Sequence, residues 1–362
     1  MKKEYLSMMC CPSCSGDLEL SSESNSHAVE AGELKCLNSG CLKVYPIRNF
    51  IPRFVDNGKY AESFGEQWKT FAKTQLDSTR IGESELRWDS EVGWKESDIS
   101  GKTCIEFGSG AGRFVDIVSR RGAKLAIGID ITDAVDASQS NIGDRENVFF
   151  IQCDMFALPI KKECIDMGYS IGVMHHTPNP EGAFNNMVSV VKPDGEIAVG
   201  LYEVSLYHRP NRNTLGVVTK DLLWALNIWR CEFFRVFTTR VPDSVFLAYC
   251  KYFVPVLHFI NKIPILRYIR YLFPSTCYRH LPVEWSMLDT NDTYATKIVH
   301  QYRHKDVFQW FMKNDLYDMI LHNGRAGWVS ITAHKSRGID ISYDRYLKKA
   351  PPGVGEGAVA RS

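Results

Sequence analysis

Two adjacent histidines, His175 and His176, lie in "GVMHHTPNP" (172–180), between an apolar run and a proline-studded turn. Histidine is the side chain most easily tuned to move protons near neutral pH. The pair reads as a catalytic base, a metal site, or a structural element at a strand end. A metal pair is the weakest of the three, because adjacent side chains diverge and no third ligand is obvious. His176 is the better candidate base, since it adjoins the Thr177-Pro178 turn. A second reactive set lies near the N-terminus, where "CPSC" (11–14) and "CLNSGC" (36–41) give two close pairs of thiols. Each pair can form a knuckle that aims both sulfurs at one tetrahedral metal, and zinc takes such thiolates. Cys11, Cys14, Cys36 and Cys41 are therefore expected to hold a structural Zn2+; reduced core cysteines and an iron centre are the competing readings. Cys10 is a spare thiol and is not assigned as a ligand.

A third set surrounds "CIEFGSGAGRF" (104–114), an apolar strand running into a glycine-rich turn that opens a helix. Glycines let the backbone turn sharply and approach a ligand closely. The dinucleotide fingerprint wants G-x-G-x-x-G, but Arg113 stands where its last glycine belongs. Glu106 falls inside the strand end, where a carboxylate repels phosphate and suits a cationic amino-acid moiety. "AIGIDIT" ends the next strand in Asp130, which can accept both hydroxyls of a ribose. "IQCDMFALP" puts Asp154 after the third, where it can receive an adenine amino group. Amine, ribose and adenine without phosphate describe S-adenosylmethionine.

These groups need a scaffold that brings strand ends together. "KTCIEF", "KLAIGID", "NVFFIQ", "CIDMGYS" and "GEIAVGL" read as strands, alternating with helical patterns near 111–121, 133–141 and 180–191. Such alternation argues an α/β, doubly wound parallel sheet. "YDMILHN" and "GWVSITAHK" read as a closing antiparallel hairpin.

The order of these segments over residues 101–201 resembles class I S-adenosylmethionine-dependent methyltransferases. The resemblance implies a seven-stranded, mostly parallel sheet. It also implies cofactor contacts from Glu106, Gly108, Ser109, Gly110, Gly112, Arg113, Asp130, Ile131, Asp154, Met155, Ser170 and Ile171. One subgroup it resembles carries "FG-x-x-W" upstream, here Phe64–Trp68, and an "LDTFD"-like segment downstream. Here the latter reads "LDTND" (288–292), so Asn291 replaces an aromatic and is expected to alter the acceptor pocket. The cysteine segment, continuing into "CLKVYPIRNFIPRFV", resembles the zinc ribbon of many bacterial methyltransferases and of the tRNA-methyltransferase activator. Its second knuckle is two residues longer than usual, and Asn49-Phe50 replaces Asp-Gly.

The chain thus divides into a zinc ribbon (1–55), a helical linker or cap (56–100), the core (101–204), a mainly helical acceptor-side insertion (205–304), a closing helix and strands (305–336), and a tail (337–362) expected to be disordered. Residues 205–280 carry eleven Lys or Arg against three acids among many aromatics. That composition fits a lid, a site for an anionic acceptor such as a nucleotide sugar, or contact with a membrane surface. Pro255 and Pro264 interrupt "YFVPVLHFINKIPILRYIRYLF" (252–273) and weaken the membrane reading. No window holds about 18 uninterrupted apolar residues, so no transmembrane helix is expected. The apolar run before Cys10 is too short for an export signal, which favours a cytoplasmic chain with reduced thiols. A formal net charge of +1 argues against a nucleic-acid partner. The expected function is methyl transfer to oxygen or nitrogen of a small molecule. Ribosomal or transfer RNA methylation and a non-catalytic scaffold are the alternatives, and the oligomeric state is open.

Overall fold

The structure, a computed structural model, describes residues 1–22, 27–55, 65, 67, 68, 70–77, 82–204, 229–322 and 327–336. Phe64, the first part of the insertion and the tail lie outside the described residues. Four strands come first: β1 (Leu18–Ser21), β2 (Gly32–Cys36), β3 (Val44–Arg48) and β4 (Ile51–Pro52). They pair antiparallel in chain order, which brings both cysteine knuckles to one end of a small sheet. Helices α1 (Glu83–Glu91) and α2 (Glu96–Ile99) then lead into the expected alternation. It runs β5 (Thr103–Phe107), α3 (Arg113–Arg120), β6 (Leu125–Asp130), α4 (Ala134–Ile142), β7 (Val148–Gln152), β8 (Ile165–Ile171), α5 (Pro180–Val190) and β9 (Val191–Tyr202). After the insertion helices α6 (Asp243–Tyr252), α7 (Val254–Asn261) and α8 (Val283–Ala295), the chain closes with α9 (His304–Lys313), β10 (Leu316–His322) and β11 (Trp328–Lys335).

The seven-stranded sheet has the order β10-β11-β9-β8-β5-β6-β7. β9, β8, β5, β6 and β7 are parallel, and β11 runs antiparallel to both of its neighbours. Parallel strands covered on both faces carry continuous apolar runs, and every residue of β7 is buried. The chain passes from β5 to β6 and β7 on one side, then returns to β8 on the other. Such a reversal leaves a crevice at the carboxyl ends of the strands, where ligands of open α/β sheets bind. The start of α5 fixes the turn that follows β8. Asn179 caps it by accepting the Gly182 N–H at 3.0 Å, and Pro180 occupies the first turn, where its missing N–H costs nothing.

The ribbon is not a tethered appendage. Met9, Leu34 and Ile47 lie in the same apolar cluster as Ile105, Phe107 and Ile129. The Tyr5 ring packs on Phe149 with centroids 4.8 Å apart. Arg53, just past β4, donates to the Gln152 side chain at 2.7 Å and pairs with Asp136 at 2.6 Å. The insertion has a separate small core in which Phe246, Cys250, Val254 and Leu257 meet Cys277, Tyr294 and Ala295.

One backbone position can be tested directly. Gly108 has φ +82°, and a β-carbon there would lie 2.2 Å from a methyl of Val173. Gly108→Ala is expected to cost roughly 2–4 kcal/mol from strain plus overpacking, read as a lower thermal midpoint. An unchanged midpoint would show that the β5–α3 turn yields freely.

Candidate active site

The crevice holds a cavity of about 330 Å³, bounded by the ends of β5, β6 and β8 and, opposite them, by α8. Glu106, Gly108, Ser109, Gly110, Arg113, Asp130, Ile131, Met155 and Ile171 line it. Glu106 is buried and accepts the Val115 N–H at 3.1 Å. Asp130 accepts the Gly110 N–H at 3.0 Å through one oxygen, and the Thr132 N–H and hydroxyl at 2.9 and 2.8 Å through the other. A carboxylate has about four lone-pair sites, so three are already used and roughly one is left for a ribose hydroxyl. Burial pushes Glu106 well above the usual carboxylate range and raises Asp130 as well. Buried acids of this kind favour a cation beside them.

Three of the sequence-assigned cofactor residues do not line the cavity. Ser170 is fully buried and donates to the Phe107 carbonyl at 2.9 Å, tying β8 to β5. Asp154 accepts the Phe156 N–H at 3.0 Å and closes the turn that presents Met155. Gly112, with φ +87°, opens α3 against Ser138 and Ile142. Their roles in the structure are to shape the loops that bear the lining residues.

The two histidines separate. His175 is fully buried, and among the described residues neither ring nitrogen has a hydrogen-bond partner. Its ring centroid lies 3.8 Å from that of Tyr202 and 4.2 Å from that of His176, with the planes tilted by 34° and 58°. An unpaired buried donor costs about 1–3 kcal/mol, and burial holds the His175 pKa well below the usual histidine value. His176 lines the cavity, and its Nδ1–H donates to the Ile298 carbonyl at 2.9 Å, which leaves Nε2 as the acceptor nitrogen. Burial lowers its pKa to about 4, so the ring is neutral at physiological pH.

Sequence reasoning missed most of the far wall. Asp289 and Asp292, three residues apart on α8, share a helix face and both line the cavity. Burial pushes each up to about 6. Tyr278 donates a short bond to Asp289, and Tyr202 lies 3.5 Å from Asp292. Asn291 does not reach the cavity as expected. It is buried and donates to the Gln67 side-chain oxygen at 2.7 Å, which turns the Gln67 amide toward Asp292. Trp68 covers the glycine loop, with its indole 2.9 Å from where a Gly110 β-carbon would be. Arg87 reaches the cavity too, but it is paired with Glu91 at 2.9 Å and lies over the Trp328 ring at 4.2 Å. The only early signals for this wall were the "FG-x-x-W" and "LDTND" segments.

At the other end of the molecule, the sulfurs of Cys11, Cys14, Cys36 and Cys41 all lie within 4.8 Å of one another. Two of the separations are 3.7 and 3.4 Å. A tetrahedral cage with Zn–S near 2.3 Å puts sulfurs about 3.8 Å apart, so the four thiols fit such an ion. Cys10 is not part of this cluster, and its backbone N–H donates to the Pro159 carbonyl at 3.1 Å.

Residues 105–199 match the family described as a methyltransferase domain. The chain is 26% identical over 219 residues to a tRNA U34 carboxymethyltransferase of Ruthia magnifica subsp. Calyptogena magnifica, covering 52% of this chain and 67% of that protein. It is 27% identical over 149 residues to a ubiquinone biosynthesis O-methyltransferase of Neisseria meningitidis, covering 40% and 61% respectively. The matches span no more than about two thirds of either relative's length. Among solved structures, a magnesium protoporphyrin IX methyltransferase of Synechocystis with bound SAH overlaps 76% of this chain and 97% of its own, at 15% identity and a TM-score of 0.39.

The α8 acids give a stability prediction with a definite sign. Their folded pKa of about 6 exceeds the ordinary 3.8, so the folded state binds more protons between those values. Stability from these groups is complete below pH 3.8 and lost as pH rises through about 6. At pH 8 both acids destabilise the fold. Replacing Asp289 and Asp292 together by Asn should raise stability there by about 1 kcal/mol, well below the full two-unit value because the groups border an open cavity. Melting curves at pH 8 and pH 4 check this; an equal difference at both would refute it.

Proposed function

We propose that this S-adenosylmethionine-dependent methyltransferase methylates an oxygen or nitrogen of a small acceptor. The supporting observation is the pair of carboxylates on α8, across the cavity from the glycine loop. S-adenosylmethionine, when bound, supplies a methyl group already activated on a sulfonium, so the protein's task is mostly positioning. Glu106, Gly110 and Asp130 suit its amino and ribose groups, with Ile131 and Met155 as apolar walls. The acceptor's hydroxyl or amine proton goes to a carboxylate. Asp292 is the better of the two, because its contact with the Tyr202 hydroxyl, at 3.5 Å, is looser than the short bond that Asp289 receives from Tyr278. Gln67 and Tyr202 hold Asp292 in place. Neutral His176, with a pKa of about 4, is a weaker base and serves to orient the acceptor. Arg87 and Arg113 line the same cavity, and their charges bear on these acids, so an acceptor there meets cations as well as carboxylates.

A second reading has its own support. The relative from Ruthia magnifica is named for tRNA U34, and the local basic composition of the insertion is hidden in a net charge of +1. On that reading the acceptor is an RNA base entering the same cavity. Transfer of labelled methyl into total tRNA, abolished by ribonuclease, would favour RNA; label only in organic-soluble or small polar products would favour the first reading.

With Asp292 as the base, kcat/KM is expected to rise with pH to a plateau with a midpoint near 6. Asp292→Asn should lower kcat by about 100-fold or more, while S-adenosylmethionine affinity by calorimetry stays within about twofold. Loss of the pH midpoint in His176→Gln but not in Asp292→Asn would transfer the role to the histidine.

The four N-terminal thiolates are inferred to hold one structural Zn2+. Elemental analysis of the purified protein is expected to give one zinc per chain, and chelation should lower the thermal midpoint by several degrees. A metal-free protein with the same midpoint would overturn that assignment.

A further inference from the structure

We propose that the outer face of the helical insertion docks on an anionic lipid bilayer surface. The helical run Asp243–Asn261 is long and apolar enough to cross a membrane by length and composition, which the sequence reading did not expect. Pro255 does not break it, because it falls in the first turn of α7, where no N–H is needed. The run carries two apolar stripes. Phe246, Cys250, Val254 and Leu257, spaced by four, four and three, are buried in the small core of the insertion. Val245, Tyr252, Val256 and Phe259, spaced by seven, four and three, form a second stripe that is 50 to 73% exposed.

A helix on the surface of a globular domain normally turns a polar stripe outward. Here the outer stripe is apolar and continues beyond the helix. The segment Leu266–Leu272 has no buried residue, and Ile265 and Leu272 are 85 and 71% exposed. Trp229, 78% exposed, extends the patch on the preceding helical segment. Exposed apolar side chains concentrated in one region in this way mark an interaction site. The charge on the same region is one-sided: residues 229–280 hold eight Lys or Arg against two acids. Lys251 and Lys262 are exposed at the margin of the stripe. Apolar side chains at the acyl boundary with cations level with lipid phosphates are the pattern of an interfacial helix. The helix lies on the surface rather than spanning it, because its inner stripe is already committed to the domain.

The same features disfavour other occupants. Tyr252 and Phe259 could stack on bases, but Val245, Val256, Ile265 and Leu272 neither stack nor bond phosphates, so an RNA would leave these four uncovered. A second copy applied face to face would oppose two basic surfaces. The inference is independent of the acceptor assignment.

The test is flotation of the full chain with vesicles of mixed phosphatidylcholine and phosphatidylglycerol, and with phosphatidylcholine alone. Binding is expected only to the anionic vesicles and should weaken with salt. Val256→Glu with Phe259→Glu, and separately Lys251→Glu with Lys262→Glu, should each reduce binding at least about tenfold. S-adenosylmethionine binding should be unchanged in both, since none of the four residues lines the cavity. Absence of binding to anionic vesicles at low salt would overturn the proposal. So would a wild-type dimer that the Val256/Phe259 variant converts to monomer, or RNA retention lost in the same variants without any vesicle binding.

Discussion

A single charge-assisted hydrogen bond, from the Gly110 N–H to the Asp130 carboxylate, organises the cofactor side of the crevice. It ties the glycine turn after β5 to the end of β6, beside the Gly108 and Ser109 N–H groups that donate to the Ile129 carbonyl at 2.8 and 2.9 Å. It holds Gly110 at φ +52°, a left-handed conformation that suits glycine, and the absence of a side chain there leaves room for the Trp68 indole. The bond is made in a site where burial raises the acid. Each N–H or O–H that Asp130 accepts offsets part of that rise.

Across the cavity, burial acts on two chemistries with opposite sign. It drives His175 and His176 toward the neutral form and pushes Asp289 and Asp292 toward protonation. The carboxyls are brought into the range where they can exchange protons usefully. Cavities that shift several ionisable groups away from their ordinary values are typical of functional sites, although structural networks do the same. The tilted His175–Tyr202 pair, whose histidine nitrogens have no hydrogen-bond partner among the described residues, shows how much polarity the fold accepts behind the cavity wall.

The sheet was legible in the sequence because its signals are local. Each βα unit combines a short apolar run, a turn and a helical period within about thirty residues. The glycine turn and its two flanking acids were legible for the same reason. Ser170 and Asp154 were read as cofactor contacts because strand ends face the crevice, yet a one-residue difference in orientation sends Ser170 into the Phe107 carbonyl. The α8 wall was not legible. Asp289 and Asp292 reach the glycine loop only through folding of an intervening insertion, and no short-range spacing announces that. Asn291 shows the limit most clearly: its substitution was visible, but its bond to Gln67, 224 residues away in the chain, was not.

The seam between the ribbon and the sheet has a consequence for how the protein comes into being. Arg53 holds Gln152, and the Gln152 amide in turn reaches the Ile131 carbonyl at 3.3 Å, directly behind the Asp130 strand end. The ribbon's apolar residues are part of the core beneath the same strands. Order in the cysteine sheet and order at the cofactor's edge are thus one cooperative unit. An ion held by the four thiols would brace a small sheet whose apolar residues continue into the core beneath β5, β6 and β7. A cell short of that ion would then be short of folded catalytic sheet, rather than holding an intact enzyme with a missing accessory.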